Sequence, residues 1–262
     1  MSTDLAEALL AVAVDIAHAA GELLRDRPAD LDVHAKSSPT DAVTVMDRAA
    51  ERLIIDALAE RRPGDGVLAE ESGERRTDSP VTWVVDPLDG TVNYLYGIPH
   101  YAVSIAAEVD GAAAAGVVYD VARDRTYVAT AGGGAHRDGS RLRCRQQTDP
   151  ALALAATGFG YGADLRSRQA QALLPVLPSV RDIRRMGCAA LDLCAVAEGS
   201  VDAFFEAGMF PWDWSAGALI AREAGARVDG LNGRPPGRWT TLAANPELFA
   251  ALEPILLAAG AP

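Results

Sequence analysis

The sequence predicts a layered α/β (α+β) fold made of two halves in one compact unit. Three observations predict it: apolar residues at helical spacing near the start, a run of antiparallel strands in the middle, and alternating strands and helices from residue 151 onward. Neither an internal repeat nor a long linker interrupts the pattern. We therefore expect an N-terminal α+β half at residues 1–150 and a C-terminal α/β half at residues 151–262.

Two amphipathic helices are predicted in the first part of the chain. Apolar residues recur at spacings of three and four over residues 5–23, which predicts a helix whose N-cap is Ser2, Thr3 or Asp4. The same spacing returns over residues 45–61 and predicts a second helix.

The segments around the second helix are short and polar. Residues 28–41 contain two prolines, so we expect a loop or a short hairpin there. A brief apolar strand at residues 67–69 then runs into Glu70 and Glu71. This acid pair is either a solvated turn or part of a site.

The most informative stretch is residues 83–91, WVVDPLDGT. A β-branched run places Asp86 and Asp89 at the end of a strand, and Pro87 should break that strand because it has no N–H for a ladder. Gly90 permits a backbone conformation that other residues resist. Two acids followed by open backbone N–H groups suit a hard cation and a phosphate, although an acidic β-turn is the simpler alternative.

The rest of the chain supplies most of the sheet. An Asp-Gly turn and a triple-glycine turn mark an antiparallel meander with strands at 102–109, 114–119 and 126–130. The second half alternates between strands and helices. Strands are predicted near 153–157, 180–184, 202–206, 227–229 and 241–243, and helices near 165–177, 189–197, 215–224 and 246–257.

Further acids lie at the edges of predicted elements. Glu206 ends a strand, Asp213 stands where an N-cap would precede the helix near Ser215, and Asp47 lies in the first turn of its helix. Capping and the helix dipole explain the last two without any site. The glycine-rich residues 158–162 do not complete a dinucleotide fingerprint and are read as a flexible loop.

Composition narrows the classes of function. The net charge of −12 disfavours a nucleic-acid binder, which needs clustered Lys and Arg residues. An enzyme of this charge that binds phosphate needs bound cations to offset the electrostatic repulsion. No apolar run approaches the ~20 residues of a membrane span. Three cysteines without a CxxC pair favour a reducing, cytoplasmic compartment and a role as small buried side chains.

Taken together, the acidic motifs resemble those of the inositol monophosphatase family. The resemblance covers nearly the whole chain and is strongest with the SuhB-type members of the family in actinobacteria. It implies a five-layer αβαβα sandwich and a homodimer. The matching segments are WVVDPLDGT at 83–91, WDWSAG at 212–217, LAEES at 68–72, and Lys36–Asp41 with Thr44 and Asp47.

The resemblance implies two to three Mg²⁺ ions, and it assigns their ligands. Glu70, Asp86 and the main-chain carbonyl of Leu88 would hold the first ion. Asp86, Asp89 and Asp213 would hold the second, so that Asp86 bridges the pair. A third, weaker ion would rest on Glu70 and waters. Inhibition by Li⁺ is implied as well. Most of these ligands belong to the N-terminal half, and Asp213 comes from the C-terminal half.

The resemblance also implies the remaining roles. Asp47, Thr91 and Glu70 would be catalytic, with Asp47 and Thr91 orienting the attacking water. The N–H groups of Gly90 and Thr91 would bind phosphate. The inositol hydroxyls would contact Asp89, the backbone of Ala189, and Glu206. Gly187 would also belong to the substrate-binding site. In this sequence Cys188 stands where Thr or Ser is common in the family.

The expected activity is therefore Mg²⁺-dependent hydrolysis of myo-inositol 1-phosphate. A sister phosphatase acting on histidinol phosphate, fructose 1,6-bisphosphate or a 3′-phosphoadenosine nucleotide is the nearest alternative. Fructose 1,6-bisphosphate and a 3′-phosphoadenosine nucleotide would require additional Arg or Lys side chains. Near residues 185–206 only Arg184 and Arg185 stand out. A hypothesis of another class is a regulatory protein that binds the transcription machinery.

Overall fold

The structure is a computed structural model that describes residues 2–35 and 42–261. The predicted loop segment Lys36–Asp41 lies outside the described residues. Within the described part, no helix is both long enough and apolar enough to span a membrane.

The described residues form helices and strands in the predicted order. The α-helices are α1 (Thr3–Arg25), α2 (Val45–Arg61), α3 (Thr91–Tyr96), α4 (Ala163–Val176), α5 (Ala189–Glu198), α6 (Pro211–Glu223) and α7 (Pro246–Ala258). The strands are β1 (His34–Ala35), β2 (Ala42–Val43), β3 (Gly66–Ala69), β4 (Gly73–Arg75), β5 (Val81–Asp89), β6 (Ala102–Val109), β7 (Ala112–Asp120), β8 (Arg125–Thr130), β9 (Gly134–Arg137), β10 (Ser140–Arg141), β11 (Leu154–Thr157), β12 (Asp182–Arg184), β13 (Ala203–Glu206), β14 (Arg227–Gly230) and β15 (Thr241–Ala244).

Two large sheets organise these elements, and β1 and β2 form a separate antiparallel pair. The larger sheet has eight strands in the order β10-β9-β8-β7-β6-β5-β3-β4, antiparallel except for the parallel pair β3–β5. The smaller sheet has five strands in the order β12-β11-β13-β15-β14. Its first three strands are parallel, and β15 runs antiparallel to both β13 and β14.

Three hydrophobic clusters bind the layers together. Helices α1 and α2 pack on one face of the large sheet, where Trp83 and Val85 point toward them. The opposite face, marked by Val84, packs on α5 and α6, which also contact the small sheet through Phe204. Helix α7 and the end of α4 cover the far face of the small sheet, including Leu242. The result is the five-layer αβαβα sandwich, which confirms the expected fold class.

Most predicted elements are confirmed, and the structure defines the ends of several helices and strands more closely than the sequence pattern did. Ser2 is the N-cap of α1, and its hydroxyl accepts from the Leu5 N–H at 3.2 Å. The Asp-Gly turn joins β6 to β7, with φ of 52° at Asp110 and 78° at Gly111. Helix α3 and the short strands β4, β9 and β10 were not predicted, because elements this brief show too little periodicity.

The expectation that Pro87 ends its strand is wrong. Strand β5 pairs with β6 as far as Asp86, shifts register, and pairs again at Asp89 opposite Ala102. The irregularity accommodates the missing N–H of proline outside the regular ladder. The strand therefore carries both acids to its end instead of releasing them into a turn.

The expected N-cap role of Asp213 is also wrong. Helix α6 begins at Pro211 rather than near Ser215, and Phe210 is its N-cap. Asp213 is the third helical residue, and its Oδ2 accepts the Phe210 N–H at 2.7 Å. The proline at the first helical position explains the early start, since its missing N–H would be unpaired there anyway.

Candidate active site

The end of β5 positions two aspartates side by side. Asp86 is only 2% exposed, and its Oδ1 accepts the Leu88 N–H at 3.0 Å. Asp89 Oδ2 accepts the Ala190 N–H at 2.7 Å and the Cys188 thiol at 3.1 Å. Because Ala190 lies in the first turn of α5, Asp89 ties the motif of the large sheet to the C-terminal half. Cys188 fills a donor role that a Thr or Ser hydroxyl could also fill.

A second buried acid, Asp47, joins α2 to the start of α3. Its Oδ2 accepts from the Thr44 N–H at 2.8 Å and from the Thr44 hydroxyl at 2.5 Å. The Asp47 N–H donates to Thr44 Oγ1 at 3.4 Å, and together with the Thr44 N–H bond it makes a capping box. Its Oδ1 accepts the Thr91 hydroxyl at 2.8 Å. The Thr91 Oγ1 also lies 3.1 Å from the Leu88 carbonyl oxygen. Asp47 is fully buried, so these contacts fix both oxygens.

Carboxylates from three segments interact electrostatically: Glu70 after β3, Asp86 and Asp89 at the end of β5, and Asp213 in α6. Burial, followed by the charges of Glu70 and Asp89, raises the pKa of Asp86 well above its usual range, and Asp213 adds to the effect. Burial and then Glu70 raise the pKa of Asp213 in the same way. Glu70 stands in the turn after β3, where its N–H donates to the Val85 carbonyl at 3.2 Å.

The pKa of Asp89 is raised less strongly than the pKa values of Asp86 and Asp213. Burial raises the pKa of Asp89 to about 6, while the hydrogen bonds from Ala190 and Cys188 oppose the change. When the pKa values of neighbouring acids rise together, the positive charge near them is too small to balance their ionised forms. Their oxygen ligands suit a hard divalent cation, which would supply that charge. The residues therefore fit the implied Mg²⁺, although no three His, Cys, Asp or Glu side chains in the described residues form a ready metal-ligand group.

The backbone beside these acids requires glycine at two positions. Gly90 has φ of +93°, and a Cβ there would lie 3.0 Å from the His100 carbonyl oxygen. Gly187 has φ of +89°, and a Cβ there would lie 2.5 Å from Arg185 Nη1. Thr91 begins α3 and Ala189 begins α5, so each glycine closely precedes a helix start.

Glu206, at the end of β13, is a further acid whose carboxyl group interacts electrostatically with Asp89. Burial and the charge of Asp89 raise the pKa of Glu206 to about 8, and the charge of Arg185 opposes them. A carboxyl group with this pKa retains its proton at neutral pH and can both donate and accept hydrogen bonds. Such a group suits the recognition of hydroxyls.

The structure adds two residues that the sequence analysis did not single out, Asn93 and Asp192, and it gives a role to Arg185. The buried amide of Asn93 donates to the carbonyls of His100 and Met186, both at 2.8 Å, and so pins α3 to the loop before α5. Asp192 is 1% exposed, and neither of its oxygens has a hydrogen-bond partner among the described residues. Arg185 carries the positive charge felt by Asp89 and Glu206. The position of Asn93, just after the Asp-Gly-Thr motif, is the signal that could have revealed it.

The structure thus brings the predicted site residues together from both halves of the chain. Hydrogen bonds connect Asp47 with Thr91 and Asp89 with the start of α5. Electrostatic interactions connect Glu70, Asp86 and Asp213. Of the predicted site segments, Lys36–Asp41 lies outside the described residues.

Known proteins resemble this chain in sequence and in fold. The model of the inositol monophosphatase family matches residues 5–260. Inositol-1-monophosphatase SuhB of Mycobacterium tuberculosis is 48% identical over 94% of this chain and 93% of that protein. Nus factor SuhB of Escherichia coli is 40% identical over 93% of this chain and 94% of its own. The crystal structure of extragenic suppressor protein suhB from Bartonella henselae superposes with a TM-score of 0.89 at 38% identity, covering 95% of this chain and 98% of that one. The chain therefore belongs to the inositol monophosphatase family.

Proposed function

We propose that this protein is a Mg²⁺-dependent phosphomonoesterase that hydrolyses myo-inositol 1-phosphate to inositol and phosphate. The observation that carries the proposal is the group of carboxylates near the end of β5, with Asp86 buried and the others partly exposed, whose charges raise one another's pKa. The family is metal-dependent, and a relative 48% identical is named inositol-1-monophosphatase. The charge of bound cations also explains how an acidic protein could accept a phosphate ester.

The proposed ligands divide between two ions that share Asp86. Glu70, Asp86 and the Leu88 carbonyl would hold one ion, and Asp86, Asp89 and Asp213 the other, with a third ion resting on Glu70. When bound, Mg²⁺ lowers the pKa of a coordinated water and stabilises the departing alkoxide. In this proposal the N-terminal half, residues 1–150, supplies most ligands, and residues 151–262 supply Asp213 and substrate contacts.

The chain's own groups then position the reacting atoms. The Thr91 hydroxyl donates to Asp47 Oδ1, which leaves the Thr91 oxygen free to accept a hydrogen bond from the attacking water. Asp47 is held in place by Thr44, so the pair can orient that water in line with the leaving oxygen. The N–H groups of Gly90 and Thr91 would bind the phosphate oxygens. Phosphoryl transfer depends mainly on such positioning and charge.

A second set of groups would hold the inositol ring. Asp89, the Ala189 backbone and Glu206 would contact its hydroxyls, and Gly187 keeps the loop before α5 close to them. Asp89 Oδ2 is already engaged by the α5 N-terminal turn, so its orientation does not depend on substrate. Neutral hydroxyls match a carboxyl group such as Glu206 that can donate as well as accept.

The deciding experiment measures phosphate release from myo-inositol 1-phosphate with Mg²⁺ and with EDTA. Turnover should require the metal, and the absence of metal-dependent turnover would refute the proposal. Asp86→Asn should lower kcat by at least ~10³, because the bridging carboxylate is lost, while circular dichroism shows an intact fold. Asp78→Asn, at an exposed aspartate before β5, is the matched control and should leave activity unchanged.

The sister phosphatase activities are tested on the same samples. We expect kcat/KM for myo-inositol 1-phosphate to exceed the values for histidinol phosphate, fructose 1,6-bisphosphate and a 3′-phosphoadenosine nucleotide. A higher value for any of these three would reassign the substrate and keep the phosphatase chemistry.

A second candidate function is suggested by the E. coli relative named Nus factor SuhB. A regulatory protein would bind the transcription machinery, for which a pull-down with RNA polymerase is the direct test. Binding alone does not explain why all four carboxylates are retained, so we place catalysis first. Assembly as a homodimer, a cytoplasmic location and inhibition by Li⁺ belong to the same family-based proposal.

A further inference from the structure

The glycine-rich loop that precedes α4 lies directly against Glu206. Strands β11 and β13 are parallel, with Thr157 opposite Phe205, so Gly158 and Glu206 leave the sheet side by side. A Cβ on Gly158 would lie 2.0 Å from Glu206 Oε2 and 2.4 Å from Oε1. The carboxyl group therefore occupies the space that any side chain at position 158 would need.

Space, rather than backbone strain, explains the glycine at this position. Gly158 is not among the residues with positive φ, so its backbone conformation is open to other residues. The clash is with the far end of a flexible side chain. A methyl group at position 158 should consequently displace the Glu206 carboxyl group and leave the fold intact.

The loop is held in this position by a buried glutamine. Gln169 on α4 is 7% exposed, and its Oε1 accepts the Gly160 N–H at 2.9 Å. Its Nε2 donates to the carbonyl of Ala207, the residue after Glu206, at 3.1 Å. The segment is a loop, as predicted, and the same side chain connects it to the end of β13.

We propose that Gly158 is a specificity-determining residue, which selects an uncharged polyhydroxyl leaving group by letting the Glu206 carboxyl group reach the substrate hydroxyls. This inference rests on the proposed phosphatase function. Residues 158–161, the segment that begins beside Glu206, include no Lys or Arg that could bind a second phosphate. The high pKa of Glu206 supports the assignment, since a protonated carboxyl group does not attract a cationic substrate.

The test compares Gly158→Ala with Gly162→Ala on two esters. Gly162 has an ordinary φ of −73°, and a Cβ there would meet nothing within 4 Å, so it is the matched control. The esters are myo-inositol 1-phosphate and propyl phosphate, which lacks hydroxyls. Gly158→Ala should raise KM for the inositol ester about tenfold, the value of one lost hydrogen bond, and change propyl phosphate turnover less than twofold. Gly162→Ala should change neither.

A double variant separates this role from a structural one. In the Glu206→Ala background the carboxyl group is gone, so adding Gly158→Ala should cost nothing further in kcat/KM. Equal losses from Gly158→Ala in both backgrounds, or failure to fold in both, would overturn the proposal. Wild-type turnover of propyl phosphate without preference for the inositol ester would overturn this proposal and leave the phosphatase function standing. Wild-type inactivity on both esters would refute the phosphatase function as well.

Discussion

Replacing Glu206 by glutamine should make the metal-free protein less sensitive to alkaline pH. Glu206 lies among buried groups beside Asp89, and the pKa of its carboxyl group is about 8 against an ordinary 4.5. The substitution keeps the size of the side chain and removes its ability to ionise. The effect of charge can therefore be measured with little change in packing.

The sign and size follow from proton linkage. Between pH 4.5 and 8 the folded state keeps a proton on Glu206 that the unfolded state releases, so the free energy of unfolding falls as pH rises. The contribution is fully present below pH 4.5 and lost by pH 8. At about 1.4 kcal/mol per pH unit, the window amounts to at most ~4–5 kcal/mol. Glu206 keeps partial solvent access, and the resulting screening makes this an upper bound.

The assay is urea unfolding with EDTA at pH 5 and pH 8. The wild-type protein should lose more unfolding free energy between these values than Glu206→Gln, with a difference of a few kcal/mol at most. Glu7→Gln, at an exposed glutamate of α1, supplies the control for the loss of one surface charge. If Glu206→Gln and the wild type show the same dependence on pH, Glu206 is not held in its protonated form and the reasoning fails.

Two further predictions concern the catalytic groups. Thr91→Val removes the hydroxyl that contacts Asp47, so kcat should fall about 10²-fold with KM nearly unchanged, and steady-state kinetics will show whether KM rises instead. Mg²⁺ should raise the melting temperature more at pH 8 than at pH 5.5, because burial raises the pKa of Asp86 and Asp213 and protons compete for their oxygens at the lower pH. Calorimetry at matched ionic strength, with Ca²⁺-free buffers, measures this difference, and equal increments would count against carboxylate ligation.

Local signals in the sequence were sufficient for the long elements. The 3.6-residue periodicity of α1 and α2, and the Asp-Gly turn at Asp110, each specify structure within a few residues of the chain. The same approach failed at Pro87 and Asp213. A paired neighbouring strand accommodates the first in an irregularity, and Pro211 starts the helix before the second.

The candidate site shows the same division. The acids at positions 86 and 89 could be recognised from their own motif, and the resemblance of the whole chain assigned Glu70, Asp47 and Asp213. Their mutual electrostatic interaction could not be derived from spacing, because it depends on how three separate elements approach one another. The contact between the glycine-rich loop and Glu206 could not be predicted for the same reason, because the two lie far apart in sequence and side by side at the sheet.

The sequence by itself predicted the order of the elements, which follows from residue type and local spacing, and its motifs carried the resemblance that indicated the family and the candidate acids. Only the tertiary structure decided that Asp89 is anchored by the first turn of α5, and that Glu206 fills the space beside Gly158. Burial and mutual charge then raise the pKa of these acids. Those effects arise from the exclusion of water between packed layers, which no stretch of sequence contains on its own.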